Sequence, residues 1–195
     1  MQSDVKRLET LAYYSKKFQK IRVDRAHGLA PHKPILLLSV IEHIQKNIIS
    51  ENKIFLTPAL IQTFLKYWVY LGSPMHNPDI SKPFFHMKSG KFWHLWPNPT
   101  FEKILSSKIK LKTFAEVKRA IKFVYLDEDL FELLQDSESC ESLRRILVSR
   151  WFSGQWALVE EIGSIQQLEN EVSVLIQHYG RFYSKGDIGN WDFLH

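Results

Sequence analysis

The apolar positions of this chain recur at helical spacing through most of its length and crowd into a run of rings near its middle. In "DVKRLETLAYYSKKFQKI", Leu8, Leu11, Ser15 and Phe18 fall on one stripe, with Lys6, Arg7, Lys16, Lys17 and Lys20 on the other faces, which predicts a surface helix. "PILLLSVIEHIQKN" is apolar nearly all round and predicts a central buried helix that Pro34 opens at its first position. "TPALIQTFLKYWVYL" repeats the grammar, with Thr57 as N-cap, Pro58 in the first turn and Gly72 and Pro74 as the stop. "KTFAEVKRAIKFVY" opens with the capping box Thr113 and Glu116 and reads as a further helix. "LDEDLFELLQD", "SLRRILVSRWF" and "SIQQLENEVSVLIQHYG" complete the helical set, the last with Ser164 and Gln167 as a capping box and Gly180 as a stop.

The ring-rich run is "SKPFFHMKSGKFWHLWP", residues 81–97, which holds three lysines and no acid. Ser89-Gly90 fits a two-residue turn, which pairs Lys88 with Lys91, Met87 with Phe92, His86 with Trp93 and Phe85 with His94. One face then carries Phe85, Met87, Phe92, His94 and Trp96; the other carries Phe84, His86, Lys88, Lys91, Trp93 and Leu95. Opposed lysines interleaved with rings suit a phosphate backbone. The same pattern also fits a buried hairpin whose lysines snorkel out at its tip. The fold class expected from these elements is α+β, a mostly helical domain with a small antiparallel sheet built around a β-hairpin.

Charge sharpens the picture. Residues 1–125 carry 21 Lys and Arg against 8 Asp and Glu, while residues 126–195 carry 5 against 13, so a +13 segment and a −8 segment hide behind a net +5. Such a basic segment is an electrostatic footprint for a polyanion, of which nucleic acid is the commonest. The single cysteine, Cys140, excludes a disulfide framework and a multi-cysteine zinc site. No apolar run approaches the ~20 residues that span a bilayer, and the start carries no apolar signal core, so no membrane role and a cytoplasmic location are expected.

A second basic cluster is "APHKP", residues 30–34, where His32 and Lys33 stand at the entry to the apolar helix, with Arg25 and His27 upstream on the same loop. Unpaired N–H groups, the helix dipole and cation-capable side chains converge there, as an anion site requires. Catalytic signatures are thin: there is no GxSxG, P-loop, GxGxxG or HExxH. Asp79 in "NPDI", with Glu116 and Lys118, imitates a metal-dependent nuclease pattern, but Glu116 is already explained as a helix cap. No enzyme activity and no cofactor are expected of this chain.

Taken in order, "APHKPILLLSVIEHI" and "KPFFHMKSGKFWHLWP" resemble the sulfur-binding domain of type IV, phosphorothioate-dependent restriction endonucleases, over about residues 5–153. In that family the reader is joined to a C-terminal HNH nuclease domain. The resemblance implies phosphorothioate-modified double-stranded DNA as partner and a role as specificity domain in bacterial defence. It assigns phosphate contacts to Arg25, His32 and Lys33, and the sulfur-contacting proline to Pro83. Lys82 stands where the family usually has tyrosine, its methylenes replacing a ring, and Phe84 and His86 complete the pocket. His86, Lys88 and Ser89, with neighbouring Lys91, fall where the family reaches toward the groove, and Lys108 matches a later basic contact. Residues 1–155 are expected to form this domain and 156–195 a helical extension or linker. Two other readings stay open: a domain for unmodified DNA or RNA, and the metal-dependent nuclease.

Overall fold

The computed structural model describes residues 2–26, 28–103 and 111–164. Helix α1 (Gln2–Gln19) opens the chain, followed by α2 (His32–Gln45) and α3 (Pro58–Leu71). Then come the short helix α4 (Ser81–His86), a 3-10 turn (Met87–Gly90) and strand β1 (Trp93–Pro97). Helix α5 (Phe114–Ala120) runs straight into strand β2 (Ile121–Leu126), and α6 (Glu128–Gln135), α7 (Ser137–Trp151) and α8 (Trp156–Ser164) follow. This is the expected α+β class: mostly helix, with one small antiparallel sheet among the described residues.

Helix α2 is the axis of the core. Ten of its residues, from Pro34 to Ile44, are buried, and α3, α4, α6 and α7 all pack around it. An all-round apolar helix can lose that much surface only in the centre of a domain. Its first turn starts earlier than the proline suggests, since His32 and Lys33 are already helical and Pro34 is the third residue. Thr57 caps α3 as expected, its hydroxyl accepting from the Leu60 N–H at 3.2 Å. The Thr113–Glu116 capping box is present in both directions. On α1 the buried stripe runs through Tyr14 and Phe18, while Leu8 is exposed. Trp151 of α7 pins that helix by donating its indole N–H to the Phe18 carbonyl at 2.9 Å. Helix α8 adds Val159 and Ile162 to the core. The Ser164–Gln167 box, read for the segment that follows, lies outside the described residues.

The hairpin is the main correction. Residues 81–90 are helical, and β1 pairs not with them but with β2: His94 opposite Tyr125, Leu95 opposite Val124, Trp96 opposite Phe123. Local chemistry explains the change. The buried Asp79 carboxylate accepts from the Ser81 N–H at 3.0 Å and from the Ser81 hydroxyl, which starts a helix. Pro83 then occupies its third position, where no N–H is needed. Gly90 does not serve a hairpin turn: a Cβ there would come within 2.7 Å of the Phe92 ring. Lys91 takes the left-handed conformation, φ 60°, that ends the 3-10 turn. The strand partner comes from "IKFVYL", read above as the tail of a helix; its β-branched and aromatic alternation wins over the helix after Ala120. Ile54 bridges the far edge of β2 at Val124.

Candidate nucleic-acid interface

Lys33 and Ser89 come from the two basic motifs, 56 residues apart, and meet: the Lys33 ammonium is 3.3 Å from the Ser89 hydroxyl. It also donates to the Arg22 carbonyl at 2.7 Å. Three pieces of chain build this edge. The loop after α1 brings Arg22 and Arg25, both exposed. The first turn of α2 brings His32 and Lys33, with Pro31 as an N-cap that offers no side-chain acceptor. The segment from α4 through the 3-10 turn brings Lys82, His86, Lys88, Ser89 and Lys91.

Among the described residues, Lys33 and Lys88 of this edge have no carboxylate partner. Lys33 is half-buried, and desolvation, then the nearby Arg22, pulls its pKa below the usual lysine value. Lys88 is likewise lowered by desolvation; its ammonium lies over the Phe85 ring, 4.2 Å from the centroid. Lys17 of α1 reaches in from the side, 3.5 Å from the Gly90 carbonyl. Lys82 is more settled, exposed but 3.8 Å from the Asp79 carboxylate. An anion placed here would restore to Lys33 and Lys88 what burial removes.

The remaining residues of the expected site divide. Lys91 and Ser89 are exposed and His86 is half-buried beside the Phe85 ring, centroids 4.9 Å apart. His32 turns inward, its Nε2 2.7 Å from the Asn77 carbonyl. Phe84 has no exposed surface and Pro83 is buried, so the two rings assigned to the pocket wall are taken up by the core. The exposed flank of α4 above them carries Lys82 and His86, one turn apart. His27 and Lys108 lie outside the described residues. Arg22 and Lys17 were not singled out from the sequence. Arg22 carries a weak signal, three residues before Arg25; Lys17 sits among other helix lysines and carries none.

The nuclease residues are used otherwise. The Glu116 carboxylate accepts from the N–H groups of Lys112 and Thr113, at 2.7 and 3.0 Å, and Asp79 is committed to Ser81. Among the described residues no group of three His, Cys, Asp or Glu side chains is arranged to hold a metal. No described helix is long and apolar enough to cross a membrane.

No family model matches this chain, and no curated protein does. Among solved structures the chain is similar to the sulfur-binding domain of ScoMcrA, complexed there with phosphorothioated DNA. Identity is 21%, the match covers 82% of this chain and 98% of that one, and the TM-score is 0.59. The likeness establishes a shared fold.

Proposed function

We propose that this chain binds double-stranded DNA carrying a phosphorothioate link and serves as the specificity module of a type IV restriction endonuclease. The observation that carries the reading is the Lys33–Ser89 meeting: two distant basic motifs build one cationic edge, on a fold similar to one solved with phosphorothioated DNA.

The chemistry follows from what sulfur changes. A phosphorothioate keeps the charge of the phosphodiester, so Lys33, Lys88, Lys91 and Arg25 supply most of the affinity by displacing counterions. The replaced atom is larger, more polarizable and a weaker hydrogen-bond acceptor. Against the flank of α4 it would meet the methylene stem of Lys82 and the ring carbons of His86, over buried Pro83. Oxygen, smaller and more strongly hydrated, would give up more water against those carbons than sulfur does. The difference is worth ~1–2 kcal/mol, about tenfold in affinity, roughly one or two buried methylenes.

Duplex is favoured over single strands because Phe84, Phe85, Phe92 and Trp93 are all withdrawn into the core, which removes them as stacking platforms for free bases. Fluorescence anisotropy with a phosphorothioate duplex, its separated strands and the RNA of the same sequence tests this. The duplex binds tightest on this reading; tighter binding of either single strand overturns it.

A further inference from the structure

We propose that His32 is a positioning residue and not a phosphate ligand: it ties the entry of α4 to the first turn of α2 and so sets the α4 flank against the Lys33 cradle. This rests on the DNA-binding reading above.

The imidazole has little freedom to face a ligand. Its ring packs on Trp68 of α3, centroids 4.6 Å apart, and meets the edge of His76 at 5.6 Å. Trp68 is itself buried. Nε2 points at the Asn77 carbonyl at 2.7 Å. A carbonyl only accepts, so Nε2 must carry the proton and donate it. Burial lowers the His32 pKa, and the His76 and Lys82 side chains act in the same sense; the Asn77 carbonyl and Asp79 oppose them. The donor is therefore a neutral imidazole near pH 7, which offers a phosphate no charge.

The Asn77 carbonyl leads on to α4. It also accepts the Asp79 N–H at 2.8 Å. The Asp79 carboxylate then holds the Ser81 N–H that begins α4. The next residue of α2, Lys33, contacts Ser89 beyond the far end of the same short helix. Adjacent residues of α2 thus hold α4 at both ends, His32 at its entry and Lys33 at its exit. A six-residue helix has little stability of its own, so its placement depends on the burial of Phe84 and Phe85 in the core and on such ties at its ends.

Two variants separate positioning from contact. Gln places an N–H donor close to where Nε2 stands, whereas Ala removes it. The slope of log affinity against log salt falls by about one when a phosphate-contacting cation is lost, and stays put when a neutral strut is lost. His32→Ala should weaken binding of a phosphorothioate duplex about tenfold with the slope unchanged, and His32→Gln should stay within about twofold of wild type. Amide hydrogen exchange on the free protein reads the strut without DNA: Asp79 and Ser81 should exchange about tenfold faster in His32→Ala and at the wild-type rate in His32→Gln. A slope reduced by about one in either variant overturns the proposal, as does unaltered exchange at Asp79 and Ser81 in His32→Ala. If His32→Ala does not fold, His32→Gln decides: a wild-type slope and wild-type exchange support the strut, and a reduced slope or faster exchange contradicts it. Should the wild-type chain bind no duplex, the DNA reading fails while the exchange data still judge the strut.

Discussion

Two open regions of the molecule, the Lys33–Ser89 edge and the outer face of the sheet, divide between them what the sequence mixes in one run. The sheet face holds a cluster of stacked rings that includes exposed Trp96 and Phe55: Trp96 lies flat against Phe123, centroids 5.5 Å apart and 8° from parallel, His94 stacks on Tyr125 at 5.0 Å, and Phe55 joins Phe123 at 5.6 Å. Polar groups beside it are partnered within the chain, the His94 ring with Asp127 at 2.6 Å and Lys53 with Glu51 at 2.7 Å. The edge is the reverse. Its rings, Phe84 and Phe85, are buried, while Lys33 has for neighbours a carbonyl, a hydroxyl and another cation. A region whose charges are balanced internally has no electrostatic call on a polyanion; a region where Lys33 and Lys88 have no carboxylate partner among the described residues does. The contrast teaches that aromatic content and basic content near each other in sequence need not form one surface.

The widest expected difference concerns stability. Phe84→Ala, which empties a wholly buried site, should cost about 3–5 kcal/mol. Trp96→Ala, at a side chain 51% exposed, should cost less than about 1 kcal/mol. Urea unfolding midpoints check both, and comparable losses would break the division into core rings and face rings. Next comes charge: Lys33→Ala should weaken modified and unmodified duplexes alike, about tenfold at ~0.1 M salt, and lower the salt slope by about one. A Lys33→Ala variant with undiminished affinity would remove the edge from the interface. At the other region, Trp96→Ala should leave duplex affinity within about twofold of wild type; a larger loss would make the sheet face part of the binding surface.

A smaller effect sharpens the contrast between the buried and edge positions of α2. His43 is buried, 2.8 Å from the Thr63 hydroxyl, and burial holds its pKa below the ordinary value, as it does for His32. The folded chain therefore binds fewer protons than the unfolded chain once pH drops below about 6.5. Stability is full above that pH and declines as pH falls toward the folded-state pKa values. Urea midpoints at several pH values between about 7.5 and 5.5 should show the decline, and His43→Gln should flatten it. An unchanged slope in that variant contradicts the assignment.

How far the sequence reached depends on how local the chemistry is. The Thr57 cap, the Thr113–Glu116 box and the burial of α2 are written in neighbouring residues and were legible. Ser89-Gly90 resembles a turn, while the signal against a hairpin, the Asp79 carboxylate that accepts from the Ser81 N–H, lies outside the run. Strand β2 was hidden because a true capping box opens a helix only seven residues long before a strand takes over. The Lys33–Ser89 contact joins two motifs that stand out in the sequence. The places of Arg22, Lys17 and the inward-turned His32 were not legible, since each depends on a contact between a side chain and a distant backbone carbonyl: Lys33 on Arg22, Lys17 on Gly90 and His32 on Asn77.

On the proposed function, the flank of α4 beside this cationic edge distinguishes sulfur from oxygen on a DNA backbone. Equilibrium competition between two duplexes identical except for one sulfur of defined stereochemistry, run at two salt concentrations, addresses it directly. The sulfur duplex should bind about tenfold tighter in one stereochemical form, with a ratio that survives the change of salt because both duplexes carry the same charge. Equal affinity for the two duplexes in both stereochemical forms would contradict it.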